Sequence, residues 1–144
     1  MSHGSSENIS RPIALLLGVV YLAAGLFGFI ITGFHGFVTS GGSSFIGLHL
    51  NVFHNIVHIG IGAILIVASR LPDAAMTQGT LLAVGAVYLV ATIAGFTGHL
   101  PIIAVTTAGN GDNFLHLASA ALALLGGLAG VAQQKDADAA FYGG

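Results

Sequence analysis

No cysteine occurs among the 144 residues, so disulfides and thiolate metal sites are excluded. Charge is almost as scarce. Charged residues make up 6 % of the chain, against about 25 % in a soluble domain. So few charges cannot cover a water-facing surface, so most of the surface must face lipid. Lys and Arg total three and the formal net charge is -2, which leaves no basic patch for nucleic acid. Neither a Walker A loop nor a dinucleotide-binding fingerprint is present. The stretch Gly109-Asn110-Gly111-Asp112 reads as a turn and not as a phosphate cradle.

Apolar residues are plentiful at 55 %, and Gly counts 22. Gly is more frequent in membrane helices than in soluble ones. A helix needs about 20 mostly apolar residues to span the hydrocarbon core. Four segments qualify, at about 13–32, 48–69, 79–96 and 112–132. The first opens after Arg11-Pro12, and Pro suits a first helical turn because its missing N–H has no partner there anyway. Its apolar stretch exceeds the roughly 7–15 residues of a signal-peptide core, so it is read as a retained helix. The expected fold is all-α: a four-helix transmembrane bundle forming a single membrane domain, with polar tails at 1–10 and 135–144. The bilayer itself is the first expected partner.

The three cations, Arg11, Arg70 and Lys135, fall on one side of such a bundle. The positive-inside rule makes that side cytoplasmic, together with both termini. The loops at about 33–47 and 97–111 carry no Lys or Arg and are expected on the outer side.

The chain repeats itself. Gly18-Val19-Val20-Tyr21-Leu22 in the first helix matches Gly85-Ala86-Val87-Tyr88-Leu89 in the third, and Gly28-Phe29 matches Gly95-Phe96. His54-Asn55-Ile56-Val57-His58 in the second matches Asp112-Asn113-Phe114-Leu115-His116 in the fourth. Each copy is a helical hairpin, so both enter the membrane from the same side. Parallel repeats are related by an axis along the membrane normal. That symmetry places helices two and four at matching depths and predicts that they are close neighbours, with His58 and His116 facing.

Of seven histidines, only His3 falls on the basic side. His35, His49 and His99 read as interfacial loop residues. On helix two, Asn51, His54, Asn55, His58 and Gly62 share one face at about 100° per residue. Asp112, His116, Ser119 and Ala123 do so on helix four. Polar intramembrane residues normally face the bundle interior, and small ones let helices approach. Ala24 with Gly28, and Gly126 with Gly130, are further close-packing candidates. Tyr21 and Tyr88 read as symmetric packing contacts.

His54 and His58 are four residues apart, as are Asp112 and His116, so each pair neighbours on its helix. Three imidazoles and one carboxylate suit Zn, Fe or another borderline divalent metal. Asn55, Asn113 and Asn51 could then orient the ligands through hydrogen bonds. His58 and His116 alone could instead be the axial pair of a haem b. A proton relay or quinone chemistry also uses such histidines. The plainer reading is a structural network, with Asn51, Asn110 or Asp112 near helix starts as caps.

The motifs resemble a family of small bacterial four-helix membrane proteins known only as a domain of unknown function. Residues 50–62 and 110–117 carry the His-Asn-x-x-His and Asp-Asn-x-x-His patterns, and residues 18–22 fit the start of its first hairpin. The resemblance runs from about 12 to 130. It implies the four-helix topology and a bacterial inner membrane, and it singles out His54, Asn55, His58, Asp112, Asn113 and His116. It implies no activity.

The leading functional reading is a non-enzymatic accessory or structural subunit of a larger membrane complex, or a homo-oligomer, with the polar cluster holding the bundle together. A metal- or haem-binding bundle for electron transfer or metal handling is the alternative, and a His-lined transporter or proton pathway the third. Four helices enclose little space for a transporter. No nucleophile–base pair and no paired carboxylates argue for an enzyme.

Overall fold

A computed structural model of the chain describes residues 8–143. The tail at 1–7, His3 included, lies outside the described residues. Four helices carry the fold: α1 Ser10–Thr32, α2 Val52–Arg70, α3 Ala74–Phe96 and α4 Gly111–Tyr142. All four are long and apolar enough to cross a membrane, with mean hydropathy between 1.9 and 2.5. Their outward residues are large and apolar, as at Ile30, Val90 and Leu125. The chain is a multi-pass four-helix membrane bundle.

Polar side chains set the helix ends. Asn8 accepts from Ser10 N–H at 3.1 Å and Ser10 Oγ at 2.6 Å. Asn51 caps α2 by accepting from His54 N–H at 2.8 Å. Asp73 caps α3 through Ala75 N–H at 2.9 Å, and Asn110 caps α4 through Asp112 N–H at 3.0 Å. Each cap satisfies a backbone donor with no partner inside its helix.

Three boundaries differ from those expected. Residues 48–50 are not helical: Ser43–Phe45 (β1) pairs antiparallel with Leu48–Leu50 (β2). The hairpin turns at Ile46 and Gly47, with φ of 50° and 78°, as a two-residue turn that follows strand twist requires. The third helix starts at Ala74 rather than 79. Thr77 and Gln78 are polar, yet both are buried and bonded to other helices: Thr77 Oγ1 donates to Ala68 O at 2.8 Å, and Gln78 Nε2 to Gly130 O at 3.1 Å and Gln134 Oε1 at 2.9 Å. The fourth helix runs on to Tyr142 instead of ending in a polar tail at 135. Alanine-rich sequence keeps it helical beyond the apolar span.

The bundle pairs α1 with α2 and α3 with α4, as two hairpins demand. Between the hairpins the expectation is corrected. The hairpins meet where α1 packs on α4 and α2 on α3, α2 and α4 are the pair that stays apart, and α1 and α3 also approach across the bundle. Tyr21 and Tyr88 stack there, ring centroids 5.0 Å apart. Ala14, Leu17, Leu65, Leu81, Val84, Ala120 and Ala123 complete the core.

Glycine lets the paired helices touch. A Cβ on Gly18 would come within 2.9 Å of Gly62 O, and one on Gly85 within 2.7 Å of Leu124 Cγ. At Gly28 and Gly95 it would collide with Asn55 Oδ1 and Asn113 Oδ1 respectively. The two asparagines thus rest on glycine at equivalent places in both hairpins. Gly126 packs against Ile13 and Gly130 against Ser10, while Ala24 faces outward. Lipid supplies no hydrophobic drive between helices, so such close packing must hold them. Gly28→Ala should therefore cost about 1–3 kcal/mol by overpacking. Gly60→Ala, with open space around its Cα, should leave stability unchanged or raise it by up to about 1 kcal/mol. Unfolding titrations in detergent compare the two, and equal effects would contradict the clamp.

Candidate functional site

The N-terminal turns of α2 and α4 each bring one His-bearing face to the bundle interior. His54 is 1 % exposed, His58 9 % and His116 3 %. One ligand atom from each lies within 4.8 Å of the others. The His54 and His58 ring centroids are 4.3 Å apart, and those of His54 and His116 5.9 Å. The histidines therefore meet across the bundle although α2 and α4 do not pack backbone to backbone.

His54 Nδ1 lies 3.2 Å from His49 O. A carbonyl only accepts, so Nδ1 carries the proton and Nε2 keeps its lone pair. That Nε2 is buried with no partner among the described residues, as are both ring nitrogens of His58 and Nδ1 of His116. A buried unpaired polar group costs about 1–3 kcal/mol. Several at one point call for an explanation, which a bound water, an ion or a functional role would each supply.

Asp112 stands beside the three rings and not among them. Its Oδ2 accepts from His49 N–H at 2.8 Å, tying β2 to the start of α4. His49, expected as a loop residue, thus serves the site through its backbone, holding both His54 and Asp112. The asparagines also differ from their expected role, because neither Asn55 nor Asn113 bonds an imidazole. Asn55 Nδ2 donates to Thr32 Oγ1 at 2.9 Å, and Asn113 Nδ2 to Thr107 O at 2.9 Å and Ala108 O at 3.2 Å. They lock helices to helices and loops. Asn51 acts on His54 through its backbone cap, and its Nδ2 ties Ile102 O at 2.9 Å.

The tyrosines belong to the site. Tyr21 lies edge-on to His58 at 5.1 Å, and Tyr88 lies 5.4 Å from His116. Tyr21 OH donates to Ser119 Oγ. Tyr88 OH is buried without a partner. Their matched places in the repeat were the signal for this, since symmetry that joins the His-bearing helices joins the tyrosines too.

Two clefts reach the cluster, one on each side of the pseudo-twofold axis. Between α2 and α3 there is about 50 Å³, lined by His54, Val87 and Ile103 among others. Between α1 and α4 there is about 210 Å³, reaching His58, His116 and Asp112 under β1 and β2. His35 and His99 bond nothing in this cluster, and His99 is exposed.

Fold and core together define a class: a four-helix membrane bundle whose two hairpin repeats bury a histidine trio. The chain belongs to the family described as Domain of unknown function (DUF4383), whose model matches residues 11–129. That match includes every residue of the cluster. No curated protein and no solved structure matches the chain.

Replacing Tyr21 by Phe removes the bond to Ser119 and should cost about 1 kcal/mol. Tyr88→Phe removes a buried hydroxyl without a hydrogen-bond partner among the described residues and should leave stability unchanged or raise it by up to about 3 kcal/mol. Detergent unfolding of both variants checks this. An equal loss for Tyr88→Phe would show that its hydroxyl has a partner.

Proposed function

We propose that this protein is a metal-binding membrane bundle in which His54, His58 and His116 hold one divalent ion, Zn or Fe(II). The observation that carries this reading is His58, buried in a trio of imidazoles with neither ring nitrogen partnered. A tetrahedral ion with bonds of about 2.0–2.1 Å needs donor atoms about 3.4 Å apart. Ring rotations bring atoms now within 4.8 Å to that spacing. His54 is already oriented by the His49 carbonyl, the outer partner that metal-bound histidines use. Asp112 offsets part of the added charge from close by.

Three protein ligands leave a fourth position open, the arrangement of sites that act on what they bind. A hydrogen-bonded staple is the weaker reading, because a staple needs the partners these rings lack. A haem is disfavoured by space. Its whole macrocycle would have to be enclosed, and the larger cleft, about 210 Å³, is below the range of about 300–1,000 Å³ that encloses an entire drug-sized ligand. Arg11, Arg70 and Lys135 at the opposite end support an orientation with the ion in the outer half of a bacterial inner membrane. Metal handling or electron transfer inside the membrane is the role this arrangement fits, alone or as a subunit of a larger complex.

Elemental mass spectrometry on protein purified in mild detergent should find about one ion per chain. His58→Ala should bind more than about 100-fold more weakly, since even an outer partner of a ligand is worth 10–100-fold. Adding Zn at about 100 times its Kd should stabilise the metal-free wild type by about 2.7 kcal/mol and His58→Ala by nothing. His99→Ala should behave as wild type. Absence of both retained metal and stabilisation by Zn or Fe(II) would overturn the reading.

A further inference from the structure

The larger cleft opens where a membrane solute would enter. It runs between α1 and α4 from Val20, Ala24 and Leu115, all exposed on the lipid-facing side, to His58, His116, Asp112 and Ser119 within. Phe27 and Phe45 flank it, edge to face at 5.6 Å, and Tyr21 lines it deeper in. Its walls are therefore apolar and aromatic, and its polar groups are gathered at the inner end.

Those inner groups select a head. In the metal-free protein no Lys or Arg lines the cleft and Asp112 stands in its wall, so an anionic head such as a fatty carboxylate finds no cation to pair with there. Ser119 Oγ already accepts from Tyr21, and its own O–H has no protein acceptor among the described residues. It is free to donate to an oxygen in the cleft. Flat aromatic walls favour a flat ring, because rings pack edge to face or offset against one another. A hydrocarbon tail can leave through the Ala24 mouth into lipid without crossing a polar surface.

From this we infer that the α1–α4 cleft binds a neutral, lipid-borne ligand with a flat carbonyl-bearing ring and a hydrocarbon tail, the quinone class. A ring carbonyl takes the Ser119 hydroxyl, and the ring lies beside His58 and His116. This rests on the reading of the cluster as the functional centre and names what approaches it. The cleft binds its ligand with its own walls, so occupancy does not require the ion.

A decyl-tailed benzoquinone is the probe. The chain has no Trp, so tyrosine emission is unmasked, and a Tyr142→Phe background removes the exposed tyrosine at the end of α4. In detergent micelles the quinone should saturably quench the emission of the two remaining, stacked tyrosines, Tyr21 and Tyr88. Ala24→Phe, which fills a lipid-facing mouth without touching the core, should weaken binding by about tenfold. Ser119→Ala should weaken it about fivefold, the worth of one hydrogen bond. Excess decanoate should not compete for the metal-free protein. Metal content measured on the same samples separates the two ideas: saturable quenching of a metal-free protein would support the cleft while the metal reading failed. Non-saturable quenching, or equal quenching in Ala24→Phe, would overturn the proposal. Competition by decanoate would overturn its neutral head.

Discussion

Asn55 lies against the bare Cα of Gly28, and Asn113 against that of Gly95. These contacts fix how deep α2 sits against α1 and α4 against α3. Each amide nitrogen is held in turn by Thr32 or by the Thr107 and Ala108 carbonyls. Lipid offers no hydrogen bonds to a stray amide, so a slip along the helix would strand the asparagine and drive it into a side chain. The registers of His58, one helical turn beyond Asn55, and of His116, beyond Asn113, follow directly. The meeting of three imidazoles across the bundle is thus set by two asparagine–glycine contacts that never touch a histidine.

The span count and the repeat were legible because both are carried by composition and by spacing. Asn55 and Asn113 were visible as repeat positions, but their task was not. An Asn three residues before a buried histidine reads as a hydrogen-bond partner for the ring, whereas the decisive neighbour is a glycine on another helix. The diagonal of the bundle was also hidden. Symmetry places α2 and α4 at equal depth but does not say which pair lies nearer the axis. Tyr21 and Tyr88, whose stacked rings sit between α1 and α3, mark that pair.

Residues 48–50 show a different limit. Leu48-His49-Leu50 continues the apolar pattern of α2 smoothly, so hydropathy extends the helix through it. The Asn51 cap and the positive φ at Ile46 and Gly47 turn it into a strand. That small change matters to the site, because a strand lays its backbone N–H and C=O to the sides. His49 can then hold Asp112 with one and His54 with the other. In a helix starting at 48 the His49 carbonyl would be engaged by the N–H four residues on, and its N–H would point along the axis rather than sideways to Asp112.

The repeat also explains why the two clefts are unequal. His54 and Asp112 occupy equivalent positions, so a perfectly symmetric bundle would carry four histidines and two like clefts. In the second copy the ring is replaced by a shorter carboxylate, and that carboxylate is drawn to the β2 backbone. His54 remains as a wall of the α2–α3 cleft, which measures only about 50 Å³. Asp112 stands in the wall of the α1–α4 cleft, which measures about 210 Å³ and is roofed by Phe45 and Leu48 of the hairpin. One substitution between copies thus turns a closed ring of imidazoles into a trio with a free side. The hairpin anchored by the same carboxylate shapes the entrance to that side. Pseudo-symmetry builds the cluster, and the break in it gives the cluster a direction.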